Sequence, residues 1–291
     1  MANSRNTEST RTRPHILVTN DDGIQSPGLA AAVQAVVGLA RITVVAPTTQ
    51  QTATGRSLVG NRADTLHPTS LAGFNGAVTA YHIDATPALA VRHTLLTLLA
   101  DDEPDLVISG INFGENLGNM ITNSGTVGAA LQAASHGIPS IAASRQSTIE
   151  QHYEYADLDW SAAVRVIGRY AELMLTLAAG REPLPFDILK IDIPDPCPIG
   201  TEERFTTVSR QSYYKSKIEK PHAQSRIGDA KTVIDYDVQL LDPADDVYAF
   251  AVDRVVSVAP LSLSCNANPR SAADMLHAAS RDDTSLTITR P

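Results

Sequence analysis

From His15 onward, short aliphatic runs alternate with longer stretches whose apolar residues recur at helical spacing. The runs are His15–Thr19 (HILVT), Ile42–Ala46 (ITVVA), Asp105–Ser109 (DLVIS), Ser140–Ser144 (SIAAS) and Asp187–Ile193 (DILKIDI). Each is short and largely apolar on both faces, as in a parallel strand covered on both sides by helices. Between the first two, Ser26 can cap a helix and Pro27 suits its first turn, with Leu29, Val33, Val36 and Val37 as the apolar stripe. Thr86 and Pro87 repeat this start signal before a helix carrying Leu89, Leu95, Leu96 and Leu99. A third helix is expected over 126–135, closing at His136 and Gly137 before Pro139. A longer fourth runs from Asp159 through Trp160, Val164 and Ile167 to Gly180. Strands separated by helices imply right-handed crossovers and an α/β, doubly wound, mostly parallel sheet, whose ligands bind beyond the carboxyl ends of the strands.

After Pro194 the texture changes. Residues 201–250 carry more charge, the tyrosines Tyr213, Tyr214 and Tyr236, and alternating stretches such as Lys231–Leu241, which read as hairpins. The expected organisation is a catalytic domain of residues 14–200 plus 251–291, with 201–250 as a β-hairpin extension. A return strand is expected near Val255–Ala259 and a C-terminal helix from about Ser271. Residues 1–13 lack the apolar stretch of a secretory signal and read as a disordered leader.

Composition narrows the classes. Aromatic residues are only 5% of the chain, so the core is aliphatic. With 23 basic against 32 acidic residues the formal charge is -9, which argues against a surface that neutralises a nucleic-acid polymer. A small anion then needs a local device, either a metal ion or a helix N-terminus. The two cysteines, Cys197 and Cys265, lack the paired spacing of a zinc site or redox dithiol. No run of about 18 apolar residues occurs, so no membrane span is expected. The expectation is a soluble cytoplasmic protein.

Three segments can carry chemistry. Asn20-Asp21-Asp22-Gly23 directly follows the first strand; adjacent carboxylates repel unless a cation or proton separates them, although Asp-Asp-Gly is also a common turn. The Ser109–Gly118 segment (SGINFGENLG) offers side-chain carbonyls for a metal and backbone amides for an anion, or simply a turn. It matches neither the dinucleotide-binding nor the Walker pattern. Asn123-Ser124-Gly125-Thr126 leads into a helix, where its amides and hydroxyls can hold phosphate or merely cap.

Together, TNDDGIQSPGL, VVAP, SGINFGENLG and SGTVGAALQA, in this order and spacing, resemble the SurE family of metal-dependent nucleotidases from about residue 15 to 144, with an echo at Val256–Leu261 (VSVAPL). The resemblance implies a Rossmann-like fold and a phosphomonoesterase that acts on nucleoside 5′- or 3′-monophosphates with Mg2+ or Mn2+, and suggests activity on short polyphosphate. Carried over by position, Asp21 and Asp22 are the carboxylate metal ligands and Asn112 the amide ligand. The fourth metal ligand falls in the loop after VVAP, where Thr52 stands in place of the family's serine and keeps its hydroxyl oxygen. Asn116, Ser124, Gly125 and Thr126 fall around the phosphate, and Asn20 orients its loop. Segments like 201–250 exchange between subunits in the family, which implies a homodimer or larger homo-oligomer.

The chain departs from the family pattern at Thr48–Ala53 (TTQQTA), at Leu89 and Ala90, and at Lys190 and Asp192, where asparagines are frequent. The glycine that usually precedes Val256 and Ser257 is also missing. The expected mechanism is attack by a metal-activated water, with Asp21 helping to accept its proton and Asn116 and the 124–126 amides stabilising the phosphoryl oxygens. The competing role for Asp21 is covalent nucleophile. The competing function is a nucleotide-sensing or interaction protein that keeps the metal but lost turnover through the altered loop. Arg56, Ser57 and Arg145 can approach substrate from neighbouring loops.

Overall fold

A computed structural model describes residues 13–272 and 275, apart from 75, 153, 181, 182, 267, 273 and 274. Residues up to Leu261 form one compact unit and Ser262–Pro291 a second. The expected leader therefore lies, but for Arg13, outside the described residues. Most of the expected C-terminal helix does too, and its described part shows helical backbone at 269–272.

The elements follow the alternation in the sequence. In order they are β1 (His15–Thr19), α1 (Pro27–Val36), β2 (Arg41–Pro47), β3 (His67–Thr69), β4 (Thr79–Ile83), α2 (Pro87–Leu96) and β5 (Leu106–Phe113). There follow α3 (Gly125–Ala134), β6 (Ser140–Arg145), α4 (Ser161–Ala179), β7 (Ile188–Ile193), β8 (Glu203–Phe205), β9 (Tyr214–Lys217), β10 (Lys231–Ile234) and β11 (Val256–Leu261). Nine strands form one mixed sheet in the order β3-β4-β2-β1-β5-β6-β7-β11-β8, and β9 pairs with β10 separately. The six strands from β4 to β7 across the sheet are parallel, whereas β3 and β11 run antiparallel to their inner neighbours. This is a Rossmann-like α/β fold.

Side-chain alternation explains why helices cover both faces. Ile16 and Val18 of β1 join Leu29, Val33 and Val36 of α1 and Val166, Ile167 and Met174 of α4 in one core layer. Leu17 between them points the other way, to Val91 and Leu95 of α2 and Ala129 and Ala133 of α3. The chain runs outward from β1 to β2 and β4, then returns to the opposite side of β1 for β5, β6 and β7. Crossovers diverge between β1 and β5, so their carboxyl ends open a crevice there.

Four details differ from the sequence reading. β4 and β3 were not anticipated, because Thr79–Ile83 (TAYHI) is polar and half-buried near the sheet edge. Leu96, assigned to the apolar stripe of α2, is 57% exposed. Thr86 does not cap α2; its hydroxyl donates to Ser57 O at 2.6 Å and accepts from Val59 N–H at 3.3 Å, fastening that loop. Within Lys231–Leu241 only Lys231–Ile234 is strand, because Asp237 accepts Gln239 N–H at 2.9 Å and starts a 3-10 turn.

The 201–250 segment belongs to the first unit. Its β8 extends the main sheet, and Tyr213, Leu241, Val247 and Phe250 pack with Leu117 from the segment after β5 in a third small core. Among the described residues, no helix is long and apolar enough to cross a membrane.

Candidate active site

The chain leaves β1 through a turn locked by Asn20. Its Nδ2 donates to Gly23 O at 3.0 Å and its Oδ1 accepts Gly23 N–H at 3.2 Å. Gly23 has φ +97°, and a Cβ there would meet the backbone of Thr49 at 3.1 Å, so glycine is required. The turn draws both following carboxylates inward: Asp21 is 5% exposed and Asp22 2%.

Each carboxylate is held by neutral donors. Asp21 Oδ1 accepts the Thr126 hydroxyl at 2.6 Å. Asp22 accepts Phe113 N–H and Gln50 Nε2, both at 3.3 Å, and its backbone carbonyl accepts the Tyr155 hydroxyl at 2.6 Å. Burial pushes Asp21 up to about 6, against the pull of Thr126 and the amides at the start of α3. Burial, and then repulsion from Asp21, holds Asp22 well above the usual carboxylate range. Among the described residues, no lysine or arginine hydrogen-bonds or pairs with either group. Two buried carboxylates without a counter-charge are costly, and a divalent cation would relieve that cost.

Asn112 sits on the end of β5, not in a free loop, because the strand continues through an irregularity between Ser109 and Asn112 to Phe113. Such irregularities re-aim side chains at sheet ends. The Asn112 Nδ2 donates to Gly114 O at 2.7 Å and Phe113 O at 3.3 Å, which turns its Oδ1 away from those carbonyls. Asp21, Asp22, Thr52, Asn112, Asn116 and Ser124 all line one cavity of about 260 Å3. Asp21, Asp22, Thr52 and Asn112 could hold a metal through oxygen atoms, which suits a hard divalent cation. Among the described residues, none of those lining the cavity is a lysine or arginine.

Gly125 and Thr126 lie behind this wall. Thr126 is fully buried and gives its hydroxyl to Asp21, where the resemblance had placed it at the phosphate. A Cβ on Gly125 would stand 2.7 Å from the Asp21 Cβ, so glycine lets the helix start abut the carboxylate. Ser124 caps α3, accepting Val127 N–H at 3.1 Å. Arg56 and Arg145 do not line the cavity: Arg56 donates to Gln132 Oε1 at 3.1 Å, and Arg145 to Asp159 O and Gln146 O at 2.9 and 2.6 Å.

Comparison with known proteins shows the family and the fold. The family model described as survival protein SurE matches residues 16–215. The chain belongs to the SurE family. The 5′-nucleotidase SurE of Methanosarcina barkeri is 35% identical over 264 residues, covering 87% of this chain and 94% of that protein. The 5′-nucleotidase SurE of Methanothermobacter thermautotrophicus is 40% identical over 204 residues, 68% of this chain and 74% of its own length. The crystal structure of the SurE protein from Aquifex aeolicus superimposes with a TM-score of 0.69 at 26% identity, covering 92% of this chain and 100% of that one.

Within this SurE fold, sequence reasoning missed the residues that hold Asn116. Lys190, Asp192 and Asp246 are fully buried. Lys190 Nζ reaches Asp192 Oδ2 at 2.5 Å, Asp246 Oδ2 at 3.1 Å and the Asn116 carbonyl at 2.8 Å. Asp192 Oδ1 accepts Asn116 N–H at 2.7 Å, and Asp246 accepts Gly118 N–H and Ser209 N–H at 3.2 and 2.9 Å. Asn116 is thus clamped at both its N–H and C=O, while its Nδ2 donates to Ser144 Oγ at 2.9 Å. Burial disfavours the Lys190 ammonium, but Asp192 and Asp246 together outweigh that and raise its pKa. Lys190 and Asp192 stand two apart on one face of β7, a pattern visible in the sequence. Gln50 was also missed; it donates to Asp22 and, at 2.6 Å, to His152 O. So was the cavity wall formed by His152, Tyr214, Ser216 and Thr232.

Proposed function

We propose that this SurE-family chain is a divalent-cation-dependent phosphomonoesterase that hydrolyses nucleoside 5′- or 3′-monophosphates. The observation that carries the reading is the pair of buried aspartates in a cavity whose described lining contains no lysine or arginine. A phosphate cannot approach such a surface without a cation between them. The nucleotide substrate follows the relatives, which are named 5′-nucleotidases.

Asp21, Asp22, Thr52 and Asn112 would hold the ion. Bound there, Mg2+ or Mn2+ supplies positive charge for the phosphoryl oxygens and for a nucleophilic water. Thr126 keeps the Asp21 carboxylate turned toward the cavity, and Asp21 accepts the water's proton. The clamped Asn116 and the start of α3 at Ser124 face the substrate's oxygens. The altered 48–53 loop still docks on the site, since Gln51 N–H donates to Asp21 O at 2.7 Å and Gln50 reaches Asp22. That favours turnover over a purely nucleotide-sensing role.

Hydrolysis of a chromogenic aryl phosphate with Mg2+ or Mn2+, with and without chelator, tests the reading. Metal-dependent turnover is expected. Its absence under every one of these conditions would leave the sensing role.

The same proposal includes a homo-oligomer formed through the 201–250 segment, where Ile227, Ile234 and Leu240 are exposed. Ile227→Lys with Leu240→Lys is expected to lower the sedimentation coefficient. A cytoplasmic setting accords with Cys197 and Cys265, both free.

A further inference from the structure

We propose that Glu115, His152 and Tyr214 form a subsite that recognises the vicinal ribose hydroxyls of a nucleoside 5′-monophosphate substrate. This rests on the phosphomonoesterase reading and names the part of the nucleotide that the second wall of the cavity takes.

Among the described residues, six buried side-chain atoms have no hydrogen-bond partner, and four belong to these three residues: both Glu115 carboxylate oxygens, His152 Nε2 and the Tyr214 hydroxyl. All three residues line the cavity that holds Asp21 and Asp22. Buried polar groups are ordinarily paired, so orphans gathered on one wall point to a ligand and not to random packing. Glu115 is only 2% exposed.

The three side chains form one contiguous group. The His152 ring stands edge-on to Tyr214 with centroids 5.6 Å apart, and Tyr214 packs edge-on to Tyr213 at 4.8 Å. A Cβ on Gly114, the residue before Glu115, would collide with the His152 ring, so glycine lets ring and loop meet. The Gln50 side chain that touches Asp22 also donates to the His152 carbonyl, tying this wall to the aspartates.

The chemistry selects the ligand. Burial raises Glu115 to about 6 against the pull of the nearby Tyr213 and Tyr214 hydroxyls, neither of which makes a well-formed hydrogen bond to it. Burial lowers the His152 pKa, which favours the neutral ring. A carboxylate with two open acceptors beside a neutral imidazole and a phenol repels phosphate and suits a neutral group with paired donors. Glu115 is bonded directly to Asn116, at the phosphate end of the cavity. In a nucleoside 5′-monophosphate the sugar, not the base, adjoins the phosphate, and its free 2′,3′-cis-diol offers two hydroxyl donors to two carboxylate oxygens.

The test compares kcat/KM for adenosine and guanosine 5′-monophosphates and their 2′-deoxy and 3′-deoxy forms in wild type, Glu115→Gln and Tyr214→Phe, with the aryl phosphate as a reference lacking sugar. Wild type is expected to prefer the riboside by about tenfold or more, since a site built for a hydroxyl rejects an analogue without it. Glu115→Gln is expected to reduce that preference to within about twofold, chiefly through KM, and Tyr214→Phe to reduce it less. Wild type that does not discriminate, or a Glu115→Gln defect equal for ribosides and aryl phosphate, overturns the proposal. A change in base preference with the ribose preference intact overturns it too.

If wild type turns over no phosphate ester, the function has failed. The subsite is then decided by calorimetry of adenosine and 2′-deoxyadenosine binding. Weaker binding of the deoxy form in wild type, lost in Glu115→Gln, supports the subsite; equal binding overturns it. Should Glu115→Gln not fold, Tyr214→Phe is read alone in both assays, with the same outcomes.

Discussion

Two pairs of buried aspartates among the described residues, Asp192 with Asp246 and Asp21 with Asp22, are treated in opposite ways. The first pair encloses the Lys190 ammonium at 2.5 and 3.1 Å and uses its remaining oxygens on the backbone of Asn116, Gly118 and Ser209. Its charge is matched largely within the protein, and its product is position: it holds Asn116. The second pair has only neutral donors, among them Thr126, Gln50 and the Phe113 amide. Burial alone therefore does not mark a functional carboxylate. What separates the two pairs is whether the chain supplies its own cation.

The largest effect should come from the unmatched pair. Asp21→Asn is expected to lower metal-dependent kcat/KM about a thousandfold or more, the several kcal/mol that a bound cation supplies. The chelated variant should melt no lower than wild type, since a repulsive buried charge is gone. More than about a tenth of wild-type activity would break the comparison.

Lys190→Met should do the reverse. Leaving two buried aspartates without their cation is expected to cost about 3 kcal/mol in urea unfolding. Adding Asp192→Asn should recover part of that loss. A neutral Lys190→Met would show that the two pairs do not differ as described.

A pH series sharpens the distinction further. Asp21, at about 6 when folded against 3.8 for an unfolded aspartate, binds more protons in the metal-free folded state between those values. Its contribution to stability is complete below about pH 3.8 and is lost as pH rises through 6. In chelator, the melting temperature of wild type relative to Asp21→Asn should therefore fall by a few degrees from pH 5 to 7.5, and saturating Mg2+ should remove the trend. Glu115 is present in both proteins, so its similar shift largely cancels in the difference. A rising difference would refute the assignment.

The smallest expected effect is that of Ser124→Ala. Loss of the cap on α3 should cost about 1 kcal/mol in thermal or urea unfolding. A rise in KM beyond what the stability loss explains would add a substrate contact to the cap.

Much of the scaffold was legible. β1, β2, β6, β7 and β11 carry aliphatic runs that no solvent-exposed strand needs, and Ser26-Pro27 marks the start of α1 in the observed place. β4 was not legible, since an edge-region strand with Thr, Tyr and His on it looks like a loop. In the site, adjacent Asp21 and Asp22 after a strand and Asn112 after another were visible because the sheet's period delivers both to one end. The destination of the Thr126 hydroxyl was not. Next to Ser124 and Gly125 it reads equally as a phosphate ligand, and its partner lies 105 positions away in the sequence.

Local order along the chain therefore determined most of the parallel strands of the sheet's centre and that two carboxylates stand together at the end of the first. Those properties depend on neighbours a few residues apart, which periodicity and turn chemistry describe. Tertiary structure alone decided which carboxylates meet a lysine and which do not, that Thr126 serves Asp21, and that Tyr214 and Thr232 from the 201–250 segment wall the cavity. Apart from Lys190 with Asp192, two apart on β7, each is a pairing across many tens of residues. No local propensity ranks such pairings; they follow from which faces the assembled sheet leaves available to be buried.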